Sequence, residues 1–197
     1  MKKPAAALSL ALATGLASAS AIQIQTGSYT GAGSFADAAT YQSTVESVVG
    51  APVNVSSYDN LAVDINQGAL ESTITFDVST AGTWNFRTGV DFGKGGALYL
   101  DGTVLDFKST NMWWNFNYSD ATQFLAGSAD LSAGVHTLTI YGLEDCCSGN
   151  QQAQYQIGNG AFTSFSATDA VPEAQSYAML LAGLGLVATI ARRRKQA

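Results

Sequence analysis

The chain has 197 residues, with 15 acids, 9 lysines and arginines and one histidine, for a formal net charge of −6. The charge is unevenly placed. Between Ile22 and Ala170 three cations (Arg87, Lys94 and Lys108) stand against fourteen acids, a local balance of −11 that repels phosphate backbones and excludes a nucleic-acid partner.

The N-terminus carries the three parts of a secretory signal. Lys2 and Lys3 form a basic start, Ala5–Leu16 an apolar run too short to span a bilayer, and Ala19-Ser20-Ala21 a small-x-small site for signal peptidase. Residues 1–21 therefore read as a signal peptide and Ile22 as the first mature residue. The next 149 residues, 22–170, suffice for one domain with its own core. Phe35, Ala38, Tyr41, Val45 and Val48 form a helical stripe, with Gly50 and Pro52 beyond it as stop signals.

Downstream the apolar period drops to two. Ile74, Phe76 and Val78 alternate with Thr75 and Asp77. Trp84, Phe86, Val90 and Phe92 fall opposite Asn85, Arg87 and Asp91. In "ALYLDGTVLDF" the Asp101-Gly102 pair sits between two apolar stretches, the signature of a type I′ hairpin. "VHTLTIYGL", "AQYQI" and "AFTSFS" read as further strands. Short strands with turns between them predict a mainly β protein, an antiparallel sandwich with one short helix and Trp84, Phe86, Leu98, Leu100, Leu138 and Ile140 in its core. On an alternating strand His136 shares a side with Leu138 and Ile140, and so reads as a core histidine with its hydrogen bonds satisfied. The run from Trp84 to Phe107, followed by "LSAGVHTLTIYG", resembles the PA14-like sandwich. Some sugar-binding members of that family hold calcium through paired aspartates before the hairpin strand. This chain has Asp91-Phe92-Gly93-Lys94 there, so the pair is missing.

"NMWWNFNYSD" is the leading surface candidate. If extended, it places Met112, Trp114, Phe116 and Tyr118 on one face and Asn111, Trp113, Asn115 and Asn117 on the other. An indole flanked by amides suits a sugar ring, since the ring's C–H face packs on Trp113 and the amides meet hydroxyls. The plainer reading is an edge strand with Trp113 covered.

Cys146 and Cys147 are adjacent in "GLEDCCSGN" and are the chain's two cysteines. A vicinal disulfide leads the readings, followed by crosslinks between chains, two free thiols and a metal site. Nearby Glu144, Asp145 and Asn150 offer oxygens of the kind that hold Ca2+, against a plainer reading as a solvated acidic loop. No other cofactor is indicated. No Gly-x-Ser-x-Gly elbow, His-Glu-x-x-His pair or P-loop occurs, so the protein reads as non-enzymatic.

The chain closes with Val171, Pro172 and Glu173, an apolar stretch over 177–191, and a basic tail of Arg192, Arg193, Arg194 and Lys195. Fifteen helical residues reach about 22 Å, short of a hydrocarbon core of about 30 Å. The tail would stay cytoplasmic under the positive-inside rule. Residues 171–197 resemble the PEP-CTERM sorting signal, with Ala174 in place of the family's second proline. With the Cys-Cys-x-Gly loop, the chain resembles a CCXG-type subfamily of PEP-CTERM proteins. The resemblance implies processing by exosortase, a membrane transpeptidase of Gram-negative bacteria that make exopolysaccharide. It also implies a transmembrane helix at 177–191, a stay in the inner membrane, and a final place at the cell surface or in the extracellular matrix. The expected function is a surface or matrix protein associated with exopolysaccharide and biofilm. A secreted lectin-like carbohydrate-binding module is the alternative, and a hydrolase comes third.

Overall fold

A computed structural model of the protein describes residues 19–167. In chain order the elements are β1 (Ala19–Ser28), α1 (Ala38–Glu46), β2 (Val53–Asn54), β3 (Leu61–Ala62), β4 (Gly68–Val78), β5 (Gly82–Gly89) and β6 (Asp91–Phe92). They continue with β7 (Gly96–Leu100), β8 (Thr103–Lys108), β9 (Met112–Trp113), β10 (Phe124–Leu131), β11 (Gly134–Leu143), β12 (Asn150–Ile157) and β13 (Thr163–Ser164). A six-stranded sheet runs β2-β1-β4-β11-β7-β8. A second sheet runs β10-β5-β12-β13, with β3 paired to β12, and β6 with β9 forms a small ribbon. Every pairing is antiparallel. Among the described residues no helix is long and apolar enough to cross a membrane. The expected helix at 177–191 and the sorting motif lie outside them.

Period-two alternation explains the sandwich. Leu70, Ile74, Phe76 and Val78 of β4 and Leu138 and Ile140 of β11 meet Trp84 and Phe86 of β5 and Ala153 and Tyr155 of β12 in one buried cluster. All six residues predicted for the core are buried. The outer face of the six-stranded sheet has a second apolar layer, because α1 lies across it. Asp37 caps the helix by accepting the Thr40 N–H at 2.7 Å. Ala38, Tyr41 and Val45 then recur at helical spacing and pack on Ala69, Tyr99, Tyr141 and Leu143. The helix ends at Glu46, short of the Gly50 stop. Gly50 instead donates its N–H to Thr26 O of β1 at 3.0 Å.

The sheet edges are short or occupied. β2 and β13, at the ends of the two sheets, are two residues long. At the opposite corner, where β8 meets β10, Asp106 accepts the Ala126 N–H at 3.0 Å.

The Asp101-Gly102 hairpin has the expected type I′ conformation, with φ of 49° and 77°. Asp101 also ties β7 to β11, since its carboxylate accepts the Thr137 N–H at 2.8 Å and lies 2.6 Å from His136 Nδ1. His136 Nε2 is 3.0 Å from Ser132 O, so the predicted core histidine is buried and satisfied. The Asp101 hydrogen bond, opposed by desolvation and aided by Ser132, raises the His136 pKa. A raised folded pKa means this stabilisation is full below the ordinary histidine value of about 6.5 and is lost as pH rises through the elevated one. His136→Gln should therefore lower the melting temperature most at about pH 5.5, with a smaller deficit at about pH 8. Melting curves of both proteins across that range check this. A deficit that grows with pH would refute it.

Candidate functional site

The surface candidates gather around β6. Asp91 of β6 is the register partner of Trp113 in β9, and Phe92 that of Met112. On its other side Asp91 meets the cysteine loop, where a Cβ on Gly149 would lie 2.2 Å from Asp91 Oδ2. Glycine is what lets that loop close onto β6. Two stretches about thirty residues apart in sequence, one bearing Trp113 and the other Cys146 and Cys147, thus flank one short strand.

Chain geometry exposes the aromatic residues. The Trp114 N–H donates to Val90 O at 3.0 Å, and the Trp114 ring lies against Gly89, where a Cβ would be 2.2 Å from the indole. Trp114 and Met112 are buried. The expected extended run from Met112 to Tyr118 stops after Trp113, because Asn115 (φ 48°) and Phe116 (φ 58°) turn through the left-handed region. The turn interrupts the predicted alternation after Trp114 and carries Phe116 outward. Trp113 is 59% and Phe116 61% exposed, so Trp113 is not the covered edge residue of the plainer reading. The platform has firm support. Phe116 and Tyr118 pack on Trp114 with ring centroids at 5.3 and 5.4 Å, and the Trp113 N–H donates to Gln123 Oε1 at 2.8 Å.

The amides divide in two. Asn117 Nδ2 donates to Asn115 O, while its Oδ1 accepts from the Ser119 N–H and hydroxyl, so it shapes the turn. Asn111 and Asn115 are exposed, and their side chains have no protein hydrogen bond among the described residues.

Glu144 is buried rather than solvated. Its Oε2 accepts the Gly93 N–H at 3.0 Å, and its Oε1 accepts the Asp145 and Cys146 N–H groups at 2.8 and 3.0 Å. Burial raises its pKa against the pull of those N–H groups. Asp145 pairs with Lys94, which is itself buried, and Asn150 donates to Asn60 Oδ1 at 2.9 Å. Each of the three side chains is thus engaged with a protein partner. Among the described residues no three His, Cys, Asp or Glu side chains are grouped to hold a metal.

Cys146 and Cys147 are exposed, with sulfur atoms 2.6 Å apart, and Cys147 has φ 68°. The Cys147 contact, followed by the charges of Cys147, Glu144 and Asp145, raises the Cys146 pKa. Such a thiol is the opposite of an activated nucleophile.

Comparison with known proteins bears on the fold of the domain and on the C-terminal segment. Among solved structures the fold is similar to a PA14 sugar-binding domain from an RTX adhesin (TM-score 0.53, 13% identity, covering 76% of this chain and 97% of that one). It is similar also to an anti-sigma factor domain-containing protein (TM-score 0.51, 10% identity, covering 76% of this chain and 49% of that one). At these identities the likeness establishes the fold, a PA14-like β-sandwich. Residues 170–195 match the PEP-CTERM protein-sorting motif. The motif implies export, passage through the membrane and processing by exosortase. No curated protein matches the sequence.

Proposed function

We propose that this is an exported, non-enzymatic surface protein that binds carbohydrate of the extracellular polysaccharide matrix through the β6–β9 end of its sandwich. The observation that carries the reading is the pair of exposed rings, Trp113 and Phe116, on a turn fixed by Trp114 and Gln123. Exposing two large apolar rings has a solvation cost that a ligand relieves, and a sugar's C–H face fits them. Asn111 and Asn115 supply unused donors and acceptors beside the rings. The adhesin domain that shares the fold is named as sugar-binding, which adds support.

A glycan array of neutral oligosaccharides, read with the protein and with Trp113→Ala, tests this. The variant is expected to bind roughly tenfold more weakly or worse while melting within about 2 °C of the parent, since it removes an exposed ring. Absence of binding by the parent, or equal binding by the variant, would overturn the reading.

Processing is part of the same proposal. Exosortase removes the segment after the Pro172-Glu173 motif, and outside the cell Cys146 and Cys147 lose two hydrogens to a disulfide oxidant and join to each other. The intact mass of protein from the cell surface should then lack Arg192–Lys195 and rise by about two daltons on reduction. Retention of the basic tail on most molecules would instead indicate a permanent anchor. A dimer that separates with reductant would indicate crosslinks between chains.

A further inference from the structure

The two outer faces of the sandwich are unequal. The helix α1 covers one, while the outer face of the second sheet carries ordered cross-strand rows of side chains. In one row Ala126, Arg87, Gln154 and Ser164 are register neighbours, and in the next Ser128, Asn85 and Gln156. Arg87 Nε donates to Gln154 Oε1 at 2.7 Å, Gln154 Nε2 to Ser164 Oγ at 3.2 Å, and Asn85 Nδ2 to Gln156 Oε1 at 3.0 Å. Ala126 and Ser128 keep the floor low on one side while Tyr118, Phe124 and Phe162 raise the walls, leaving an open groove of about 430 Å³.

Arg87 is the unusual member. Its guanidinium lies between two rings, 3.9 Å from the Tyr118 centroid and 3.8 Å from that of Phe162. The clamp and the Nε bond fix its plane, yet its terminal NH2 groups have no protein partner among the described residues. Lys94 and Lys108 are each paired with an aspartate. The remaining cation, Arg87, has no acidic partner among the described residues. A clamped, partly dehydrated guanidinium with both NH2 groups open matches a carboxylate in bidentate geometry.

We propose that this groove is a second glycan-binding site, separate from Trp113, which takes a uronate-bearing polysaccharide with the sugar carboxylate on Arg87. The amides of Asn85 and Gln156 meet ring hydroxyls, and the walls of Tyr118 and Phe162 meet C–H faces. A peptide fits this place less well. The groove lies on a sheet face, where main-chain groups are engaged in the ladders, and a bound strand needs an edge.

Titration calorimetry with trigalacturonate and with its methyl ester, which keeps the rings but lacks the charge, tests the proposal. Trigalacturonate should bind, the ester at least tenfold more weakly, and added salt should weaken the acid alone. Arg87→Gln should remove the difference between acid and ester, whereas Trp113→Ala should leave it unchanged. Phe162→Ala, which keeps the cation but opens the clamp, should give an intermediate loss and serves if Arg87→Gln fails to fold. Equal binding of acid and ester, no binding of either, or an equal affinity for triglutamate would overturn the uronate assignment. Loss of trigalacturonate binding on Trp113→Ala with none on Arg87→Gln would leave one site, at β6–β9. Failure of the neutral array at Trp113 leaves the groove standing.

Discussion

Replacing Asp101 with proline is expected to cost about 4 kcal/mol or more and to lower the melting temperature by roughly 10 °C or more. Three losses coincide at this residue. Proline holds φ near −65°, whereas the hairpin needs 49°. The Asp101 N–H, which donates to Thr137 O at 2.9 Å, disappears. So does the carboxylate that holds the Thr137 N–H and His136. The turn joins β7 to β8, and β7 lies between β8 and β11 in the six-stranded sheet, so the damage enters the core directly. Asp101→Asn is the control. Asparagine tolerates the left-handed conformation and keeps a polar group, so its deficit should be about 1–2 kcal/mol. Urea denaturation of both variants measures this, and equal deficits would show that the turn conformation is not the main contributor.

The second large effect is expected at Glu144. Glu144→Leu removes the acceptor for three backbone N–H groups at the mouth of the cysteine loop. A buried donor left without a partner costs about 1–3 kcal/mol, and water reaches part of this loop, so the total should be about 3 kcal/mol. The local consequence is more telling than the global one. Gly93 and Cys146 lose their common anchor, so limited proteolysis should cut between Glu144 and Gly149 in the variant well before the parent is cut. The deficit should not depend on calcium, because the side chain serves backbone amides. Stabilisation of the parent by calcium that vanishes in the variant would support the metal-ligand reading instead.

How much of this was legible in the sequence depends on how local its cause is. The β4 and β11 alternation and the Asp101-Gly102 turn are set by neighbouring residues and stand where the sequence put them, and the α1 stripe does so at Ala38, Tyr41 and Val45. β1 was missed because its apolar positions, Ile22 and Ile24, follow directly on the run read as an export leader. β10, "FLAGSADL", was missed because its small residues give little contrast between faces. The expected "AFTSFS" strand shrinks to β13 and a single bridge at Ser166, held by contacts with residues 56–58 that lie far back in the chain.

At the candidate site, exposure of Trp113 follows from burial of Trp114 against Gly89, a pairing 25 positions apart. In an extended run Phe116 shares a face with Met112 and Trp114, and nothing in its own identity announces the left-handed φ that breaks that run. Glu144 looked like a solvated acid because one of its partners, Gly93, is 51 residues away. The groove was illegible for the same reason. Asn85 and Arg87 were visible as an outward face, but Tyr118 and Phe162 reach it from separate loops.

The short, occupied edges of the two sheets bear on how such proteins behave when crowded on a surface. A long open edge would let neighbouring copies add strands to one another and grow into fibres. Here two sheets terminate in two-residue strands, and a carboxylate holds an edge amide at the third corner. Backbone-driven polymerisation therefore has little template at the β2 and β13 edges. Dense coats of this protein would stay individually folded, with cohesion supplied by what the side chains grip.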